Sequence, residues 1–382
     1  MDGILTLIVA AVALLGIMAV ANIADRQGQP RQTGAAEGGD DALYDPDDLR
    51  AKWARQVTPW LLAGMNVLLL CNGISYLILA STPAALLEAV GSDAGLGVVP
   101  SAGAATGVML ISLLMVVAAF VLLAPQVRQA IARAQILSPA FNPDSAMHMV
   151  ALVFAVYLIG MTGVQFALYG GDLAALGEEI GSFEDAVNAS PLVGSLAMQA
   201  ALFIAVAVVG VGFPQRRAWP AALRRLGLVR PTWAQVAIGV GAGVVMLMFQ
   251  FIAIAVWLLL VGEETFAEQT RAIEAMNASV QDMGSALVIA ALTATSEEIA
   301  FRGALQPVLG IGITSIVFAV IHLQYTLTPA TLVILALAVV LGLLRQRFNT
   351  TTAVLCHFAY NFAGLAISVM SQNLLDSAGG LP

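Results

Sequence analysis

Ten apolar runs, most of them near the roughly 20 residues a helix needs to cross the hydrocarbon of a bilayer, constrain this chain more than any other feature. They lie at residues 4–22, 59–80, 103–124, 149–169, 192–212, 233–260, 284–306, 311–324, 329–345 and 350–371. Composition agrees with them. Of 382 residues, 59% are hydrophobic and only 10% are charged, and mean hydropathy is +0.89. A soluble domain carries about 25% charged residues. The expected fold is therefore all-α, a polytopic membrane bundle of about ten transmembrane helices. The run 311–324 is short and has no strong loop signal at either end.

Basic residues set the expected orientation. Under ten spans one side receives Arg26, Arg31, Arg50, Lys52, Arg55, Arg128, Arg133, Arg216, Arg217, Arg224, Arg225, Arg230, Arg345 and Arg347. The other side receives Arg271 alone, and Arg302 stays inside the membrane. The positive-inside rule then places the arginine loops in the cytoplasm and both termini outside a cell (plasma) membrane. Nine spans would break this alternation. The outer loops are acidic, with Asp172, Glu178, Glu179, Glu184 and Asp185, then Glu263, Glu264 and Glu268. No basic block suggests nucleic acid as a partner. Cys71 and Cys356 both fall inside apolar runs, which argues against a disulfide framework.

The chain divides by composition. Residues 1–22 are read as a retained first transmembrane helix, because Asp2 replaces the basic stretch of a secretory signal. Residues 23–58 form a polar linker ending in a short interfacial helix around Asp47–Arg55, with Trp53 and Trp60 at headgroup level. Residues 59–212 are accessory helices, 213–371 a membrane core, and 372–382 a short C-terminal tail. The core boundary rests on the Arg- and Pro-rich loop Phe213–Thr232 and on the intramembrane charges beyond it. No internal repeat argues for an inverted-repeat transporter.

Those charges are Glu297, Glu298 and Arg302, in Thr295-Ser296-Glu297-Glu298-Ile299-Ala300-Phe301-Arg302-Gly303. Carboxylates and guanidinium are costly at bilayer depth and persist where they pair, face a cavity or carry chemistry. On a helix Glu298 and Arg302 stand at i and i+4 and form an ion pair. Glu297 is rotated by about 100° and is left for another partner. His322 follows Phe318 by one turn, and His357 and Asn361 share a face of the last helix. Taken singly, His322 reads sooner as a hydrogen-bonded packing residue than as a ligand, and Asn361 has the alternative reading of helix–helix glue. Glu297, His322 and His357 lie roughly 13, 16 and 10 Å from the cytoplasmic ends of their helices, at 1.5 Å per residue. They are expected to line one cavity opening to the cytoplasm. A carboxylate beside an imidazole takes a proton from water, and a second histidine with an amide donates to a developing oxyanion. These parts suffice for hydrolysis of an amide by activated water. Ser296 and Cys356 point off the motif faces and are not read as nucleophiles.

At these residues the sequence resembles the CPBP family, the CAAX-protease and bacteriocin-processing (Abi-type) intramembrane endopeptidases. The family pattern EExxxR, FxxxH, HxxxN is present as Glu297-Glu298…Arg302, Phe318…His322 and His357…Asn361. Phe301-Arg302-Gly303, Leu226-Gly227-Leu228 and Arg230-Pro231 also look like the family, so the resemblance covers roughly 215–371. It implies that Glu297 and His322 activate water and that His357 and Asn361 hold the oxyanion. Glu298 and Arg302 would support them, with Arg302 also a candidate for placing a substrate carboxylate. Members were long classed as metalloproteases, and zinc on Glu297, His322, His357 and Asn361 is the alternative. Metal-free glutamate catalysis is favoured, because H-E-x-x-H is absent and a fully ligating set leaves no separate base. The expected substrate is a peptide or membrane-associated protein. The rival functions are a non-catalytic scaffold or immunity-type member and a proton-coupled transporter using the Glu/His cluster.

Overall fold

The computed structural model describes residues 2–25, 49–83, 100–168, 191–278, 280, 282–322 and 328–379. Most of the polar linker, the acidic stretch Asp172–Asp185 and residues 380–382 of the tail lie outside the described residues. Every regular element among the described residues is helical. In chain order they are α1 Asp2–Ala24, α2 Leu49–Ser81, α3 Ala102–Leu123, α4 Pro125–Arg133, α5 Ala146–Leu168, α6 Pro191–Gly210 and α7 Trp219–Leu226. They continue as α8 Trp233–Val261, α9 Glu263–Ala278, α10 Met283–Glu298, a π-helical segment Ile299–Leu305, α11 Gln306–Val320, α12 Ala330–Arg347 and α13 Thr350–Gly379. Eight helices among the described residues are long and apolar enough to cross a membrane, and α1 contributes a further apolar helix over Ala10–Ala24.

Three expectations change. The interfacial helix around Asp47–Arg55 is not separate, because helix begins at Leu49 and continues through Pro59 to Ser81. The tail is helical as far as Gly379. The runs 284–306 and 311–324 are arms of one hairpin. A straight helix would carry Phe301 and Phe318 about 25 Å apart, yet their rings meet at 5.3 Å. The reversal falls at Gly310, whose φ of 81° is outside the helical region and open mainly to glycine. The return arm Ile311–Val320 is only about 15 Å long, too short to span. It stops at Ile321 and His322, which line a cavity. Backbone outside a helix is tolerated at membrane depth in such a place.

The chain forms two compact units, residues 1–171 with 208–222, and residues 172–207 with 223–382. In the first, polar side chains join apolar helices. Asp25 accepts from Ser145 Oγ and from the backbone N–H groups of Ala146 and Met147, so it caps α5 from a distant part of the chain. Arg216 donates to Asn22, which itself donates to the carbonyls of Met18 and Val209. Burial lowers the pKa of Arg216, and the Asp25 charge partly offsets it. Tyr157 Oη donates to Asn66 Oδ1 at 2.7 Å between α5 and α2.

The second unit is built on α8 against α13. Gly239 and Gly243 fall on one face, four residues apart. A Cβ at Gly239 would lie 2.9 Å from the Thr352 carbonyl oxygen, and one at Gly243 would lie 2.5 Å from that of Cys356. Only hydrogen fits there, so the backbone beside His357 is pressed directly onto α8. Leu337, Leu341 and Leu344 of α12 pack into the same core with Met246, Leu247 and Tyr360. At the arginine-bearing end, Gly227 (φ +73°) turns the chain so that its carbonyl accepts from Thr350 N. Arg225 donates to the Gly303 carbonyl and Arg345 to that of Arg302. A Cβ on Gly303 would sit 3.0 Å from the Leu226 carbonyl oxygen, so this glycine allows α7 to close on the π segment. At the other end Asp282 caps α10, and the hydrogen bonds from Ser285 and Gly284 hold its carboxyl below the usual range.

Candidate active site

α10 ends on the two glutamates, and helical geometry sends them to different partners. Glu298 is fully buried. One of its oxygens accepts from Arg302 Nε at 3.2 Å, which is the expected i, i+4 pair, and the other faces His357 Nδ1 at 3.1 Å. Glu297 is 6% exposed, and its Oε2 stands 3.7 Å from His322 Nε2. Each glutamate thus has its own histidine. Directly after the pair, the backbone changes from α to π over Ile299–Leu305. Single π turns inside α-helices occur frequently at functional sites.

Phe318 is the hub of the arrangement and is wholly buried. Its ring lies 4.6 Å from that of His322, 5.8 Å from that of His357 and 5.3 Å from that of Phe301. The Arg302 guanidinium sits 4.8 Å from the Phe318 ring centre, in cation–π range. The Phe318 carbonyl lies 2.7 Å from His322 Nδ1. A carbonyl only accepts, so Nδ1 carries the hydrogen and, in the neutral ring, Nε2 is the bare nitrogen. By the same reasoning His357 directs its Nδ1 hydrogen at Glu298 and its Nε2 the other way.

A cavity of about 530 Å³ reaches these groups, lined by Glu297, His322, His357, Asn361 and Phe318 among mostly apolar side chains. Asn361 Nδ2 donates to Thr293 Oγ1 at 3.1 Å, which fixes one amide hydrogen and leaves the second to be directed elsewhere. Asn361 therefore bridges α13 to α10, as helix glue would, and lines the cavity as well. The structure brings together Glu297, Glu298, Arg302, Phe318, His322, His357 and Asn361. Arg302 is the one whose expected place changes. It is 0% exposed, and it does not line the cavity, so it is not positioned to hold a substrate carboxylate. Its Nη1 and Nη2 are buried with no hydrogen-bond partner among the described residues.

The lining of the cavity runs from the glutamates away from the arginine-bearing helix ends. The cavity is lined by Gln250 and Trp257 from the C-terminal half of α8, by Phe266 and Ile273 of α9, and by the first turns of α12. These are the helix ends opposite the arginines. Depth along single helices placed the glutamate and histidines at a common level but carried no information on which side of that level the helices diverge.

Sequence reasoning missed three polar residues. Thr293 stands one turn before Glu297 on the same face, and its i, i+4 spacing was the available signal. Gln250 accepts from the Tyr360 hydroxyl across α8 and α13, and both line the cavity. Gln250 is the one amide deep within the apolar run 233–260, since Gln235 lies in its first turn, and it could have been singled out on that ground.

The alternative zinc set does not fit as arranged. Among the described residues no three His, Cys, Asp or Glu side chains stand together closely enough to hold an ion. The Nδ1 contacts of the two histidines, to Phe318 and Glu298, do not weigh against a metal, because they leave Nε2 of each ring as the ligating atom.

A model of the type II CAAX prenyl endopeptidase Rce1-like family matches residues 279–363. The match takes in all seven site residues, is consistent with the CPBP resemblance, and leaves residues 1–278 uncovered. Searches of curated proteins and of solved structures each returned no match.

Proposed function

We propose that this chain, an integral membrane protein whose residues 279–363 match the Rce1-like family, is an intramembrane endopeptidase in which Glu297 and His322 activate water. The observation that carries the reading is the facing pair Glu297 Oε2 and His322 Nε2. Both are acceptors, 3.7 Å apart at the base of one cavity. A water about 2.8 Å from each would direct one hydrogen to the carboxylate and the other to the imidazole, leaving its lone pairs for attack. Its oxygen bonds to the peptide carbonyl carbon while Glu297 takes the proton. The carbonyl π electrons move to oxygen, forming an oxyanion. Asn361 donates its second amide hydrogen to that oxyanion, and His357 does so through Nε2–H in its doubly protonated form, with Nδ1–H retained by Glu298. Collapse breaks the C–N bond, and the proton held on Glu297 passes to the leaving amine.

Glu298 and Arg302 act at one remove, by orienting His357. No step is routed through a metal. The arginine distribution supports a plasma-membrane protein with both termini outside. The transporter reading uses the same cluster as a proton relay. The rivals separate in one experiment on purified protein. Glu297→Ala and His322→Ala should each abolish cleavage of a fluorogenic peptide while the chain stays folded by circular dichroism. Retained cleavage in either variant overturns the assignment. Proton flux in liposomes that Glu297→Gln abolishes, without peptide cleavage by the parent chain, would establish the relay instead.

A further inference from the structure

The helix ends of the second unit form two chemically distinct sets. One set bears Arg224, Arg225 and Arg230 ahead of α8, and Arg345 and Arg347 at the end of α12. These ends are tied to one another through Gly303 with Arg225, Arg302 with Arg345, and Gly227 with Thr350. The cavity lies on the other side of the glutamates. α8 contributes Gln250, Ala253, Ile254 and Trp257, approaching its C-terminus at Val261. α10 contributes Ile289, Thr293 and Glu297, so its lining runs from the glutamate back towards its Asp282 cap. α12 contributes its first two turns, from Ala330 to Leu337. No lining residue comes from the arginine-bearing ends.

α9 covers this side. Phe266, Thr270 and Ile273, at i, i+4 and i+7, face the cavity, whereas Glu263, Glu264, Glu268 and Glu274 are exposed. Trp257 pins the helix by a hydrogen bond from Nε1 to Gln269 Oε1 at 3.0 Å and by an edge contact with Phe266 at 5.0 Å. An amphipathic helix with a charged outer face and an apolar inner face belongs at a membrane–water boundary. Arginine marks the cytoplasmic side, and acidic residues carry little weight in that rule.

We infer that the cavity is loaded from the extracytoplasmic face, beside α9, so that the substrate is an extracytoplasmic segment of an exported or membrane-anchored protein and not a cytoplasmic C-terminal tail. The inference rests on the protease reading for the word substrate, whereas the side of access rests on the cavity lining together with the arginine distribution. It also sets a length. Glu297 lies 14 residues along α10 from Met283, or about 21 Å at 1.5 Å per residue. An extended peptide covers about 3.4 Å per residue, so the substrate needs about six unstructured residues between the membrane surface and the bond that is cut.

The test uses the full chain in cells, in a background carrying Cys71→Ser and Cys356→Ala. Ala267→Cys places a thiol on the exposed face of α9, and Arg230→Cys places one at the opposite end. A membrane-impermeant maleimide should label Ala267→Cys in intact cells and Arg230→Cys only after permeabilisation. Labelling of Ala267→Cys only after permeabilisation overturns the inference, as does labelling of Arg230→Cys in intact cells. In parallel, right-side-out vesicles should cleave an added impermeant peptide and inverted vesicles should not; cleavage by inverted vesicles alone overturns the inference. Protease activity in detergent combined with reversed labelling would sink the side of access and leave the protease reading intact. The expected labelling without any cleavage in detergent would do the opposite.

Discussion

Glu298→Gln is the substitution whose outcome the structure specifies most closely. The side chain keeps its size but loses its charge, in a position with no exposure at all. Arg302 loses the carboxylate that accepts from Nε at 3.2 Å, and its Nη1 and Nη2 have no other hydrogen-bond partner among the described residues. A buried pair broken on one side costs about 3–5 kcal/mol, because the remaining charge stays desolvated and uncompensated. The cation–π contact of Arg302 with Phe318 at 4.8 Å recovers part of this, about 1 kcal/mol. The expected loss in unfolding free energy is therefore about 2–4 kcal/mol, measured by SDS titration in mixed micelles followed by circular dichroism. Removing both charges, in Glu298→Gln with Arg302→Met, should cost less than Glu298→Gln alone, because no unpaired guanidinium remains. Activity should fall in both variants, since His357 loses the carboxylate that orients it. A loss below about 1 kcal/mol for Glu298→Gln, or a strictly additive double variant, would refute the reasoning.

Other outcomes follow from the same geometry. Gly243→Ala pushes a methyl into the Cys356 carbonyl oxygen, 2.5 Å away, and should cost about 1–3 kcal/mol and lower kcat by displacing His357. Gly241→Ala meets nothing within 4 Å on the same helix and should be neutral or slightly stabilising; equal effects at the two positions would contradict the packing account. Phe318→Leu keeps an apolar side chain but removes the ring contacts to both histidines, and should lower kcat about tenfold with KM little changed. Chelation of purified, active protein should leave peptide cleavage unaltered; equimolar zinc lost together with activity would instead establish the metal reading.

Local order was legible in the residues, and long-range partnership was not. Ten apolar runs foretold helices at those places because burial in lipid leaves few other solutions. The Glu298–Arg302 pair was readable because it lies within one helical turn. Its second partner was not, because His357 is 59 residues further on and its contact depends on how α8 presses α13 inward. The reversal falls at Gly310, yet glycine within an apolar run is compatible with both a bend and a close helix contact. The side on which the cavity opens depends on where the helices splay, a property of packing that no single-helix depth carries. For α9, the stretch from Glu263 was read only as an acidic outer loop, although Phe266, Thr270 and Ile273 already stood at helical spacing.

The central claim is that Glu297 and His322 hold one water between them. Steady-state cleavage of a fluorogenic peptide by Glu297→Gln, His322→Gln and the double variant tests it most directly. A general base contributes about 10²–10⁴-fold, so each single variant should lose kcat/KM by about that factor. Because both groups act on the same water, the double variant should be little worse than the more damaged single one. Near-parental kcat/KM in Glu297→Gln, or losses that multiply in the double variant, would contradict a shared water at this pair.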